Sequence, residues 1–471
     1  MVGGEVKRAL ALGLFVSITA CADIVDINTS RYLDTDAGAP VPGQCKGTIR
    51  TRVWGDLSGP TKDVGTPGGK GVFDHLRAID KAGGIKGCRV ESELADMKYD
   101  VETTLGLYRG WSQAPTWKEV SSIFGQGTAM TQAIAPLAAN EKQVLLTTAF
   151  PGELASPKPI EHDVGVPTLN GAFAEAIVPV RKRSPGYPFV FFPGTDYTTS
   201  ARIAMSFIWR RGAKRIGFLA CTTSAFCTDP VDGAKTFLPV LGTTKIGRDL
   251  AIELDDDEPT ITTKVETYLQ AEIDQKAKDP TYEPVDWLWF GNTRTTLARV
   301  GRAVAAAKTK LGVSVNVVTN HFSLDELLAS ECGDACTGFV GVEPVPVFGD
   351  GAAAGMSELV ATHHEMRRVD GEPETAHGTV SYVTGYVAVS AWKVAIEAVI
   401  DAGQPVTGDN IRVMLETFAQ KNLDGLATIS FSPTDHRPQS SARIYTLAAS
   451  GKLEPVGQPL SVSLQNEWLG W

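Results

Sequence analysis

The sequence predicts an α/β protein built from two doubly wound parallel-sheet lobes. A strand–helix–strand unit opens the fold between Arg50 and Asp96, and its two strands have to be parallel because a long helix connects them. Strands and helices continue to alternate after this unit, and the pattern restarts near Thr198. A length of 471 residues is enough for two domains with a further element.

The opening unit is defined by three short patterns. Apolar side chains alternate with polar ones from Ile49 to Val53, and a Gly/Ser/Pro turn follows at 55–60. A helix with one apolar face comes next, with Val72, Phe73, Leu76 and Ile79 at the helical period. A Gly-Gly turn at 83–84 then leads to a second strand at 90–94. In an open parallel sheet, the loops after such strands form the ligand site.

Later elements are predicted from the same periodicities. The first half contains helices at 101–113 and 131–140 and strands at 120–124, 143–147 and 189–192. The second lobe contains helices at 199–211, 232–241 and 264–276 and strands at 215–219, 287–290, 315–318 and 338–342. Long helices follow at 352–367, 380–402 and 408–418, before a tail that alternates like a hairpin.

Enzyme motifs do not explain this chain. The run at 66–71, TPGGKG, superficially resembles a phosphate-binding P-loop, but its spacing differs from G-x-x-x-x-G-K-[ST]. Gly71 also stands where a magnesium-binding hydroxyl would be, so we expect a flexible loop before the helix. The sequence contains neither a G-x-S-x-G elbow nor an H-E-x-x-H motif. We therefore expect no catalytic residue, no metal site, no cofactor and no enzymatic activity.

The N-terminal residues have the pattern of an export signal. Lys7 and Arg8 precede an apolar stretch at 9–20 that is too short to span a bilayer. The stretch ends in ITAC, which resembles a bacterial lipobox with Cys21 as the lipidated residue. We expect a signal peptide at 1–21, a polar tether at 22–44 and a lipid anchor in the periplasm of a Gram-negative bacterium. The competing interpretation is an ordinary cleaved signal with an incidental cysteine.

The cysteine count favours disulfides. Six cysteines remain beyond Cys21, and an even number in an exported chain is typical of disulfide bonding: Cys45, Cys88, Cys221, Cys227, Cys332 and Cys336. Fifteen pairings are open. Cys45 and Cys88 precede strands whose starts should be neighbours, and the other four form two close pairs along the chain. Zinc binding by the close pairs is the competing hypothesis, but no histidine stands at a suitable spacing.

Four segments together resemble one known family. They are LSGP and AGGIKG in the opening unit, YVTGYVAVSAWKVAIEAVIDAG at 382–403 and GLATISFSPTDHR at 425–437. In this order they resemble the type I periplasmic solute-binding proteins of ABC importers, of the branched-chain amino-acid type. The resemblance implies a three-segment hinge between a first lobe (45–197 and 345–425) and a second lobe (198–344 and 426–471). It also implies a monomer that binds a small molecule and meets an ABC permease.

The loops after the parallel strands supply the candidate ligand-binding residues, which come from both lobes: Trp54, Ser58, Gln126, Thr128, Thr148, Phe150, Phe226, Asn292, His321 and Phe322. Family members that bind amino acids hold the carboxylate with hydroxyls and the ammonium with an acidic residue. Thr128 matches one of the family's hydroxyl positions. Near the position where the family has its acidic residue, however, this chain has His321. Phe150 replaces a small residue and Phe226 a tyrosine. For Phe150 and Phe322, packing beneath the loops is the rival interpretation, and for His321 a capping role.

These departures argue against an α-amino-acid ligand, because a buried ammonium without a carboxylate is costly. We expect a solute-binding protein for an ABC transporter whose ligand is apolar rather than a simple amino acid. Two alternatives keep the fold: a periplasmic carrier of a lipid or sterol, and a ligand-sensing subunit of a membrane receptor. The net charge of −10 and the lack of a basic stripe argue against a nucleic-acid partner.

Overall fold

The computed structural model describes residues 43–155, 157–158, 184–185 and 187–464. The predicted signal peptide, the lipidation site Cys21 and nearly all of the tether lie outside these residues. Strands before residue 197 are β1 (Thr48–Gly55), β2 (Arg89–Glu91), β3 (Leu94–Asp96), β4 (Val120–Gly125), β5 (Val144–Thr147), β6 (Pro157–Lys158), β7 (Ser184–Pro185) and β8 (Val190–Phe191). The helices there are α1 (Lys62–Lys81), α2 (Val101–Ser112), α3 (Thr128–Asn140) and α4 (Gly152–Ala155).

The first sheet is parallel, in the order β2-β1-β4-β5-β8, and β3 also pairs with β1. The predicted parallel pairing of the opening unit is therefore confirmed. The second strand is interrupted, since β2 pairs with the start of β1 and β3 pairs with its end. Strands β6 and β7 form a separate antiparallel pair.

A second sheet begins after helix α5 (Tyr197–Arg210). Its order is β10-β9-β11-β12-β13-β16-β17, with β18 also paired to β16. The strands that follow α5 in the chain are β9 (Arg215–Ala220), β10 (Lys245–Ala251), β11 (Trp287–Gly291), β12 (Asn316–Thr319), β13 (Val340–Glu343), β14 (Lys421–Leu423), β15 (Ala427–Ile429), β16 (Ser441–Leu447), β17 (Leu453–Pro455) and β18 (Leu460–Ser461). Strands β9 to β13 are parallel, and β16 to β18 are antiparallel. Strands β14 and β15 form a separate hairpin.

Helices connect the second sheet and then return to the first. The connecting helices are α6 (Ala225–Leu241), α7 (Glu258–Lys278), α8 (Arg294–Leu311) and α9 (Leu328–Cys332), and the returning ones are α10 (Met356–Asp370), α11 (Val380–Asp401) and α12 (Gly408–Leu415). Helix α11 packs along α1, and α12 packs on β5. The chain thus passes between the two sheets three times: after β8, after β13 and after β15. Three such passages make a hinge.

The glycine-rich run at 66–71 is part of helix α1, so the prediction of a flexible loop is wrong. Pro67, Gly68, Gly69 and Gly71 are buried there, and the physical reason is the close approach of α11. A side chain at Gly71 would collide with the carbonyl oxygen of Tyr382, and one at Gly385 with that of Gly68. Tight packing between two helices therefore outweighs the poor helix propensity of glycine at this crossing.

Helix α11 is long and apolar enough to cross a membrane. Its most apolar stretch is 78% buried within the protein, including the fully buried Tyr382 and Trp392. The indole Nε1 of Trp392 donates to the hydroxyl of Ser122 in β4 at 2.9 Å. These contacts make α11 the core helix of the first lobe.

Three disulfides join the six cysteines that follow Cys21. Cys45 pairs with Cys88, Cys221 with Cys227 and Cys332 with Cys336. The first bond spans 43 residues and fastens the start of β1 to the start of β2. A crosslink over a loop of this length restricts the unfolded chain most, so it contributes the largest entropic stabilisation of the three.

Candidate functional site

The loops at the carboxyl ends of both parallel sheets enclose one cavity. Its empty volume is about 560 Å³, including its opening to solvent. The first sheet contributes the loops after β4 and β5, and the second sheet contributes the start of α6 and the loops after β11 and β12. This is where the strand-end rule places a ligand.

Six of the ten candidate residues line this cavity. Gln126, Thr128 and Thr148 belong to the first-lobe wall, and Phe226, His321 and Phe322 belong to the second-lobe wall. Phe226 and Phe322 meet edge to face, with ring centroids 5.8 Å apart. The structure therefore brings polar groups of one lobe opposite an aromatic wall of the other.

Trp54 and Phe150 lie beneath the cavity wall. Trp54 is 1% exposed, and its indole Nε1 donates to the carbonyl oxygen of Gln126 at 2.9 Å, which fixes the loop after β4. Phe150 is fully buried, and its ring centroid lies 4.9 Å from that of His321. Both side chains therefore support residues that line the cavity without lining it themselves.

Ser58 and Asn292 also lie outside the wall. Ser58 is exposed, and its hydroxyl donates to Asp96 Oδ2 at 2.6 Å. Asn292 is fully buried, and its amide donates to the carbonyl oxygen of Ile252 at 2.9 Å. Its Oδ1 accepts from the backbone N–H of Thr293, so this side chain is occupied within the second lobe.

Two tyrosines in the wall were missed from the sequence. Tyr99 follows β3, and its hydroxyl lies 2.9 Å from the hydroxyl of Ser224 in the second lobe. Tyr197 begins α5, and its hydroxyl lies 2.9 Å from that of Thr128. The same strand-end rule, applied to β3 and β8, would have found both.

No Asp, Glu, Lys or Arg is among the described residues that line the cavity. His321 is 4% exposed, and burial lowers the pKa of its imidazole to about 3, so the ring is neutral at physiological pH. Asp325 is the nearest carboxylate along the chain. It is held by Arg294 at 2.6 Å instead of facing the cavity, and burial raises its pKa to about 6.

A second contact joins the lobes beside the cavity. The Oδ2 atom of Asp63, in the first turn of α1, accepts a hydrogen bond from the backbone N–H of Thr295 at 2.9 Å. Thr295 stands at the N-terminus of α8, where backbone N–H groups and the helix dipole favour a carboxylate. Together with the Tyr99–Ser224 pair, this bond holds the lobes closed over the cavity.

Two parallel sheets, a three-segment hinge and a cavity between the lobes define a hinged ligand-binding protein. The family model for periplasmic binding proteins matches residues 49–452. The chain therefore belongs to the periplasmic binding protein family, with the type I fold. A search of curated proteins found no match.

Solved structures share this fold at low identity. A substrate-binding protein of an ABC transporter from Aeropyrum pernix is 21% identical with a TM-score of 0.72, over 90% of this chain and 99% of that chain. A branched-chain amino-acid ABC transporter protein from Thermus thermophilus with bound valine is 18% identical with a TM-score of 0.69, over 90% and 98%. A fatty acid ABC transporter substrate-binding protein from Thermomonospora curvata is 14% identical with a TM-score of 0.66, over 90% and 95%.

Proposed function

We propose that this protein captures a small, largely apolar ligand in the cavity between its lobes and delivers it to an ABC transporter. The observation that carries the proposal is the uncharged lining of the cavity, which includes four aromatic side chains from both lobes: Tyr99, Tyr197, Phe226 and Phe322. An α-amino acid would place an ammonium and a carboxylate against this wall without a charged partner, which costs several kcal/mol. Apolar surface is favourable there because the wall shields it from water.

Hinge closure is the mechanism in this proposal. A ligand shifts the lobes toward closure only to the extent that it binds the closed form more tightly than the open form. A ligand between Gln126 of the first lobe and His321 of the second meets this condition, because it contacts both walls only when they approach. No bond is made or broken in the ligand.

The other elements of the proposal follow from the family and the sequence. The lobes would comprise 45–197 with 345–425 and 198–344 with 426–471, since each set contains one of the two sheets; the hairpin of β14 and β15 spans the last boundary. The ten candidate residues would bind the ligand directly or support the wall. The protein would be a periplasmic monomer, anchored by lipid on Cys21, with a permease as its partner.

A thermal-shift screen tests the function. Amino acids, small amides, fatty acids and sterols are added to the purified protein, because a ligand that binds only the folded state raises the melting temperature. Small-angle X-ray scattering then measures the radius of gyration with and without each hit. We expect an apolar, uncharged compound to raise the melting temperature and contract the protein. Tight binding of a zwitterionic amino acid would contradict the proposed ligand class.

Native mass spectrometry provides an independent measurement of the same proposal. A ligand held in a closed cavity is released slowly, because the lobes have to open first. The protein is purified under mild conditions and its intact mass is compared before and after denaturation. A co-purified apolar molecule would support the proposal, and a co-purified charged amino acid would overturn it.

A further inference from the structure

His321 presents an unusual hydrogen-bonding demand inside the cavity. The side chain is 4% exposed and lines the cavity, and neither ring nitrogen has a partner among the described residues. Burial keeps the ring neutral, so one nitrogen carries a hydrogen and the other carries a lone pair. A molecule that satisfies this ring has to accept one hydrogen bond and donate another, whichever tautomer is present.

Gln126 adds a third unmet group from the opposite lobe. Its side chain is 5% exposed and lines the same cavity, and its Oε1 atom has no hydrogen-bond partner within the described chain. Trp54 holds the backbone of this residue from below, so the loop that carries Gln126 is fixed. Leaving a buried amide oxygen unpaired costs about 1–3 kcal/mol, which a ligand N–H would recover.

Resting on the function proposed above, we infer that the ligand carries an uncharged carboxamide, bound by Gln126 and His321, with an apolar body against Phe226 and Phe322. A primary amide supplies two N–H donors, one for Gln126 Oε1 and one for the imidazole nitrogen with the lone pair. Its carbonyl oxygen has two lone pairs, which can accept from the other imidazole nitrogen and from Gln126 Nε2. The amide bridges the lobes, because Gln126 belongs to the first wall and His321 to the second.

Related head groups fit this pair less well. A carboxylate has acceptors but no donor, so it leaves Gln126 Oε1 and one nitrogen of His321 unpaired. An ammonium has donors but no acceptor, and the cavity wall offers it no carboxylate among the described residues. An alcohol has a single donor and satisfies at most two of the three groups. Sites built to pair a polar ligand group reject analogues that lack it.

Four probes with one apolar body test the inference: isovaleramide, isovalerate, isoamylamine and isoamyl alcohol. Each is titrated into the purified full chain by calorimetry, and benzamide and benzoate repeat the comparison with an aromatic body. We expect the amides to bind at least about tenfold more tightly than the matched acid, amine and alcohol, as one lost hydrogen bond predicts. A carboxylate or amine that binds as tightly as its matched amide would overturn the inference.

Two near-isosteric variants locate the recognition. His321→Phe keeps the aromatic packing and Gln126→Met keeps the length, so each removes hydrogen bonds with little change of volume. Each variant should weaken isovaleramide binding at least about tenfold. His364→Phe and Gln270→Met are the matched controls, because both side chains lie on helices outside the cavity, and they should leave the affinity unchanged. Unchanged amide affinity in both cavity variants would overturn the inference.

The same measurements separate this inference from the proposed function. If the amides fail but a sterol or another uncharged apolar compound from the wider screen raises the melting temperature and contracts the protein, the amide inference fails and the proposed function stands. If no compound of any class raises the melting temperature or contracts the protein, both fail. Melting temperatures of the variants without probe confirm that they fold.

Discussion

At the scale of single residues, Glu343 at the end of β13 is a buried carboxyl group whose pKa is strongly shifted. Its side chain is fully buried, and neither carboxyl oxygen has a hydrogen-bond partner in the part of the chain that the structure describes. Burial, followed by the negative charges of Glu326 and Asp325, raises the pKa of Glu343 well above its usual range. The carboxyl is therefore held in its neutral form next to the hinge.

Replacement of Glu343 by glutamine should stabilise the protein at alkaline pH. A folded-state pKa above the unfolded value means that Glu343 stabilises fully below its unfolded pKa, and that this contribution is lost as pH rises toward the folded pKa. The neutral glutamine has the same shape and no such loss. We expect Glu343→Gln to melt within error of the parent at pH 4.5 and about 2 °C higher at pH 8.

Calorimetric melting of both proteins from pH 4.5 to 8 checks this prediction. The difference between the two melting temperatures should grow steadily with pH. A constant difference across the range would show that Glu343 does not titrate differently in the folded and unfolded states. Lys142→Gln, which removes a surface ion pair with Asp409, is the control, and its effect should not grow in this way.

The candidate site shows what sequence can predict for individual residues. The strand-end rule named loops that line the cavity, because parallel strands bring their carboxyl ends to one edge. It could not tell which side chains of a loop face the ligand, so Trp54 and Phe150 were included although they pack beneath the wall. Side-chain direction depends on loop conformation and tertiary packing, as Tyr99 illustrates, whose backbone φ of 54° is left-handed.

At the scale of elements, the crossing of α1 and α11 depends on glycine. Gly71 and Gly385 face backbone carbonyl oxygens of the opposite helix, and neither position has space for a methyl group. Backbones that approach this closely exclude water and bury the ion pair between Asp74 and Arg367 nearby, both of which are fully buried. The crossing therefore fixes the position of α1, the helix that precedes the loops of the first-lobe wall in the chain.

Alanine at Gly71 or Gly385 should destabilise the protein, although alanine is the better helix former. The propensity gain is at most about 1 kcal/mol, whereas forcing two packed helices apart costs about 1–3 kcal/mol. We expect each variant to lose about 1–2 kcal/mol of unfolding free energy in urea titrations. Gly106→Ala in α2 is the matched control, since its added methyl group meets no neighbour, and it should gain up to about 1 kcal/mol.

The order of the helices and strands was more predictable from the sequence than the residues at which they begin and end. The buried strands β4, β5 and β11 were predicted within a residue or two, and the sequences of β5 and β11 are almost continuously apolar. Strand β10 was missed, because this edge strand is mostly exposed and lacks a clear alternation. The start of α1 was misplaced because its glycines are selected by packing against α11, and packing partners distant in sequence are not visible in a local pattern.

At the scale of the whole molecule, closure depends on contacts outside the ligand cavity as well as on the ligand. Asp63 and Thr295 join α1 to the N-terminus of α8, and Tyr99 and Ser224 join the loops on the other side. These bonds form only between lobes that have approached. They therefore lower the free energy of the closed form, and a ligand that requires the closed form binds more tightly because of them.

Replacement of Asp63 by alanine should weaken ligand binding without changing the cavity wall. The lost hydrogen bond joins a carboxylate to a helix N-terminus at 2.9 Å, and such charged bonds contribute about 1.5 kcal/mol or more. The dissociation constant for the best ligand of the screen should rise about tenfold. Most of the change should lie in a faster dissociation rate, because an opened cavity releases its ligand.

The control variant Asp100→Ala distinguishes an effect on lobe closure from a general loss of stability. Asp100 caps α2 within the first lobe, where its side chain accepts a hydrogen bond from the backbone N–H of Thr103. This variant should lose about 1 kcal/mol of stability and keep its ligand affinity. Surface plasmon resonance measures the dissociation rates, and scattering with saturating ligand measures closure. Equal affinities for Asp63→Ala and the parent would show that the Asp63–Thr295 bond does not bias the lobes. An affinity loss shared by Asp100→Ala would instead assign the effect to general destabilisation of the first lobe.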